Sequence, residues 1–141
     1  MRWWLMKLKL MVLVAFLLIL SLYFLSLESE KPEITPNPLN IELYAALASV
    51  GIEDAVVDIT QERALIRYNL PENMSKESVN YYIMGAAATI APNSSKIVIQ
   101  VYGSFEPLEE IVVKTEDVLA FMNETITYEE LEKRIEIRSL K

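Results

Sequence analysis

The sequence predicts an α+β protein: a membrane-spanning helix at the N-terminus, followed by a small domain with the element order αββαββ and a C-terminal helix and strand extension. Three observations carry this. Residues 10–27 form an uncharged apolar run broken only by Ser21 and Ser26. Further on, two pairs of short segments alternate apolar and polar with period two. Each pair follows a stretch with helical spacing and a capping signal.

The apolar run comes first. At about 1.5 Å per residue it spans about 27 Å as a helix, close to the ~30 Å hydrocarbon core of a bilayer. Lipid offers no hydrogen bonds, so only a helix lets one segment cross alone. Arg2, Lys7 and Lys9 precede the run, whereas Glu28, Glu30 and Glu33 follow it with Lys31 among them. Positive charge stays on the cytoplasmic side, so residues 1–9 are expected to be a cytoplasmic stub and the domain to lie outside. Trp3 and Trp4 suit the inner headgroup level. A signal peptidase site needs small residues before the cut, and Ser26-Leu27-Glu28 and Leu27-Glu28-Ser29 lack them. The expected organisation is therefore an uncleaved anchor at 10–27, a proline-rich spacer at 28–38 and an extracytoplasmic domain at 39–141.

Within the domain, Asn37-Pro38 reads as a cap and first turn, and Gly51 as the residue past the end of the same helix. Leu43, Tyr44, Leu47 and Val50 cover much of its circumference, so it is expected to be mostly buried. EDAVVDIT and RALIRYNL alternate about Thr60-Gln61-Glu62 and predict a hairpin with Ala55, Val57, Ile59, Ala64, Ile66 and Tyr68 pointing inward. Ser75 opens a second helix with an expected core stripe at Val79, Tyr82, Ile83, Ala86 and Ile90, stopped at Ala91-Pro92. KIVIQVY and EEIVVKT give a second hairpin. Thr115 is expected to cap a short helix. Thr127-Tyr128-Glu129-Glu130 matches a capping box, and residues 134–140 alternate as a fifth strand over a sheet edge would.

Two helix–hairpin units side by side predict a four-stranded antiparallel sheet with both helices on one face. This αββαββ order is similar to a circularly permuted ferredoxin-like fold. An N-terminal anchor, a spacer and such a domain, over residues 10–115, also resemble the bitopic assembly proteins of type II secretion and type IV pilus systems. The long coiled-coil linker of some of those proteins has no counterpart here. The resemblance implies a scaffolding role.

Composition narrows the chemistry. The 141 residues contain no cysteine and no histidine, which removes Ser–His and Cys–His nucleophile pairs and thiolate or imidazole metal sites. No enzyme activity, cofactor or metal is expected. The adjacent acids Glu53/Asp54, Glu109/Glu110, Glu116/Asp117 and Glu129/Glu130 diverge on a strand or helix and suit solvent and helix dipoles better than shared catalysis. Residues 28–141 carry twenty acids and ten bases, a balance that repels phosphate backbones and argues against nucleic acid as a partner.

What remains is a surface. By alternation the second face of the sheet shows Val56, Asp58, Leu65, Arg67, Val98, Gln100, Tyr102, Val112 and Lys114. That is more apolar than a fully solvated face should be. Either the C-terminal helices fold over it, or it is a partner surface with Val56, Leu65, Arg67, Val98, Tyr102 and Val112 as the interface candidates. Asn73, Asn93 and Asn123 each open an N-x-[ST] sequon at an expected turn and are candidate N-glycosylation sites. The expected function is a single-pass, non-catalytic, extracytoplasmic interaction or scaffold protein with a protein partner or a second copy of itself. The alternative is a surface-displayed domain, or a cleaved secreted form of it, that binds a small ligand or metal ion.

Overall fold

A computed structural model of the chain describes residues 2–29 and 37–140. The chain divides into two units, Met1–Thr35 and Pro36–Lys141. The described residues of the first unit form one continuous helix, α1 (Arg2–Ser29), which is long and apolar enough to cross a membrane. It starts within the expected stub, because Trp, Leu, Met and Lys at residues 3–9 sustain a helix as well as the apolar run does. There Lys7 lays its ammonium over the Trp3 ring, 3.6 Å from the centroid. Of the expected spacer, residues 30–36 lie outside the described residues.

The second unit runs α2 (Pro38–Ala48), β1 (Val56–Ile59), β2 (Arg63–Asn69), α3 (Lys76–Ile90), β3 (Lys96–Gly103), β4 (Glu106–Lys114), α4 (Thr115–Met122), α5 (Tyr128–Arg134) and β5 (Glu136–Ser139). The mixed α+β class and the element order follow the sequence. Asn37 caps α2 through its side chain, which accepts from the Leu39 amide at 3.0 Å. Gly51 leaves that helix at φ +93, a left-handed conformation that glycine adopts without steric cost. Ser75 caps α3 and Thr127 caps α5. Ala55, Ile59, Ala64, Ile66 and Tyr68 are buried and Val57 is half-buried, as alternation requires.

The sheet differs from expectation in one respect. Its order is β1-β2-β3-β4-β5, and the central pair, β2 and β3, is parallel while the other three pairs are antiparallel. The fully antiparallel sheet is thus corrected to a mixed one, and the ferredoxin-like permutation is not confirmed. The physical reason lies in α3. A helix of 15 residues carries the chain about 22 Å back along the sheet, so β3 enters beside β2 in the same direction. Hairpins are set locally by their turns, whereas the pairing between hairpins depends on how the crossover helix seats.

Two smaller expectations also change. α2 is not mostly buried: Leu43 and Leu47 alone are fully enclosed, while Leu39, Ile41 and Tyr44 face outward. Thr115 does not cap α4. It is the first helical residue, buried, and its Oγ1 has no hydrogen-bond partner among the described residues.

Candidate functional site

Every helix of the second unit contributes to one core. Leu43 and Leu47 of α2, Val79 and Ile83 of α3, Val118 of α4 and Leu131 of α5 pack with Ile66, Tyr68, Ile97, Ile99, Ile111 and Val113 of the sheet. The C-terminal helices therefore lie on the same side as α2 and α3. None of α2 to α5 contributes its buried residues to the opposite face.

Register builds that face in rows. One row crosses the sheet as Asp58, Leu65, Val98, Val112 and Glu136. The next is Val56, Arg67, Gln100, Glu110 and Arg138. On the other side of the first row, Arg63, Lys96 and Lys114 stand together as a basic line. All six interface candidates lie on this face: Val56, Leu65, Arg67, Val98, Tyr102 and Val112. Their exposure differs. Val56 is 60% exposed and Arg67 is exposed, whereas Tyr102 and Val112 are half-buried. Leu65 and Val98 retain only 6% and 4% of their surface. The result is a narrow apolar seam between polar rows, with exposed anchors at its margins.

Polar contacts fix part of the face. Gln100 Nε2 donates to Glu110 Oε2 at 2.8 Å. Arg138 lies 3.9 Å from Glu110 and 2.7 Å from Glu136. Solvent-exposed pairs of this kind contribute little to stability, so they set geometry more than energy.

Sequence reasoning missed several members of this surface. Arg63, Lys96 and Glu110 extend the same alternation and were legible from it. Glu136 and Arg138 were not, because their face depends on where β5 pairs. Phe105 is the other omission. It sits with Ser104 in the β3–β4 turn, both at positive φ (64 and 50), where a two-residue hairpin favours Asn-Gly. A bulky side chain held in that region is strained, and the ring is 87% exposed. The left-handed backbone works against stability, and the exposed ring recovers none of that cost by burial.

The adjacent acids separate as expected of a strand. Glu109 turns inward to Lys76 at 3.2 Å, while Glu110 faces the open side. Asp117 pairs with Arg134 at 2.8 Å. Among the described residues no group of three or more acidic, histidine or cysteine side chains is placed to hold a metal ion.

A cavity of about 250 Å³ lies on the helical side, lined by residues including Lys76, Asn80, Met84, Glu109, Ile111 and Glu132. Asn80 is buried, and its Oδ1 accepts from the Tyr68 hydroxyl at 2.6 Å. Burial, and after it the Glu109 carboxylate, push the Tyr68 phenol above its ordinary range, so the hydroxyl remains a donor.

The three sequon asparagines, Asn73, Asn93 and Asn123, are all exposed and all lie in turns. None is on the open sheet face. Compared with known protein families, curated proteins and solved structures, the chain matches none.

Proposed function

We propose that the chain is a membrane-anchored, non-catalytic interaction module of the cell envelope, with α1 as its single span and the helix-free sheet face as its partner surface. The observation that carries this is the one-sided fold: four helices pack on one face of the sheet, and the other face shows the exposed margins Val56 and Arg67 beside a narrow, mostly buried apolar seam. The excess of basic residues before the apolar run supports an N-terminus in the cytoplasm and a domain outside it. Exposed turn asparagines support glycan attachment at Asn73, Asn93 and Asn123, which would leave the open face clear.

Protease added to intact cells tests the orientation. The domain is digested without lysis if it lies outside, and protection until lysis sinks that assignment. Cross-linking in membranes tests the surface. Val56→Glu and Arg67→Glu change exposed residues on the open face and are expected to abolish partner recovery with an unchanged melting temperature. Phe105→Gly is a sharper variant. It relieves a left-handed conformation that costs roughly 1–2 kcal/mol, so it should raise the melting temperature. If Phe105 is an anchor, the same change lowers partner recovery.

The cavity beside Asn80 favours a second reading, a site for a small ligand with both apolar and polar groups. Met84→Trp would fill it. A ligand-binding role predicts lost function with the partner cross-links retained, the reverse of the Val56→Glu pattern.

A further inference from the structure

We propose that β5 is a self-pairing edge through which two copies of this chain join their sheets, antiparallel and centred on Ile137. This inference is independent of the open-face reading and uses a different part of the domain.

The backbone geometry comes first. Leu140 N–H donates to Leu108 O at 3.0 Å, in register with the pairs Arg138–Glu110 and Glu136–Val112. Bonding direction alternates along an antiparallel strand, so Leu140, Arg138 and Glu136 turn their backbone groups to β4. Ile137 and Ser139 turn theirs outward. Among the described residues nothing bonds to that outward row, because β5 ends the sheet. Ile135 spends its N–H on Glu132 O at 3.4 Å and has its carbonyl left over.

Side chains then select the occupant. About a two-fold axis at Ile137, Glu136 of one copy lies opposite Arg138 of the other, and the reverse. Ile137, 63% exposed, meets its own counterpart on the helical side of the sheet. Ile137 pairs with Ile137 as a mutually bonded pair, and each Ser139 N–H faces the other copy's Ile135 carbonyl, giving about four backbone hydrogen bonds in all. A foreign strand meets two charges of opposite sign two residues apart and must carry the reversed pattern. A second copy carries it automatically, so charges that guard the edge against other strands admit this one. Four residues make a short junction. Its affinity rests on the anchored reading, since two copies confined to one bilayer meet at a raised effective concentration.

Single-cysteine variants of the full chain test this directly, because the sequence has no cysteine of its own. In a mutually bonded antiparallel pair the Cα atoms lie about 5.5 Å apart, within the disulfide range of roughly 4.4–6.8 Å. The full chain carrying Ile137→Cys is oxidised mildly in phospholipid vesicles and run on non-reducing gels beside Val56→Cys, on the open face by the opposite edge. The expected result is a disulfide-linked dimer at position 137 and none above background at position 56. Adding Ser139→Pro to Ile137→Cys removes an outward N–H and should abolish that dimer while the far-ultraviolet spectrum is kept. Adding Glu136→Arg should also abolish it, and Arg138→Glu on top should restore it. Equal dimer at positions 56 and 137 overturns the proposal in favour of contact through α1 or the open face. A cross-link from position 137 to a different polypeptide overturns it too, as does a dimer indifferent to the charge reversal.

Discussion

The two edges of the sheet meet the same hazard in opposite ways. At β1 the outward groups of Ile59 are taken by side chains of α2 and its cap: Asn40 Oδ1 accepts from its N–H at 2.9 Å, and Asn37 Nδ2 donates to its carbonyl at 3.0 Å. At β5 no side chain among the described residues performs that service, and two charges flank one exposed isoleucine. An unpaired strand is a template for another, and a fold can close it or leave it selective. Here the β1 edge is capped at Ile59 by two asparagine side chains, and the β5 edge carries no such cap among the described residues. Of the two, the bare one is the candidate for assembly.

Three measurements break or sharpen that contrast. The largest effect is expected from Leu131→Ala. Leu131 is the buried residue of α5, the helix that leads into β5, and its loss should cost about 2–4 kcal/mol by transfer and cavity terms. Urea titration of the full chain in detergent micelles would show it, and a change near zero would mean that α5 is not what holds β5 in place. Next is Asn40→Ala at the closed edge. It leaves the Ile59 N–H without its acceptor and should cost about 1–3 kcal/mol, with faster amide exchange confined to β1. Unchanged exchange at Ile59 would show that the amide guard is dispensable. The smallest effect belongs to Ser139→Pro, within about 0.5 kcal/mol because its N–H points away from β4. Arg138→Pro, one residue earlier, removes a bond to β4 and should be clearly worse. Equal cost at both positions would refute the assignment of which backbone groups face outward.

Much of this was legible in the sequence because it is local. Asn37-Pro38, Ser75 and Thr127 mark helix starts through bonds within one turn. The inward set from Ala55 to Tyr68 follows from a period that no tertiary contact can alter. Three features were not legible, each for a non-local reason. The parallel pairing of β2 and β3 depends on how α3 seats against the sheet. The exposure of Leu39, Ile41 and Tyr44 on α2 depends on what lies opposite them, since an apolar residue does not declare its neighbour. The open face could be listed residue by residue, but whether it was covered depended on which side α4 and α5 chose. Ion pairs such as Asp117–Arg134 help to hold those helices at the core, and 17 residues separate the partners.

Asn37 has one more consequence. It is the first described residue of the globular unit, directly after the segment that joins it to α1, and its amide holds both the start of α2 and the carbonyl of Ile59. Any tension on the joining segment enters the domain there. The two side-chain bonds of Asn37, one to the first turn of α2 and one to the β1 edge, therefore stand first in the path of any pull on the domain from its N-terminal side.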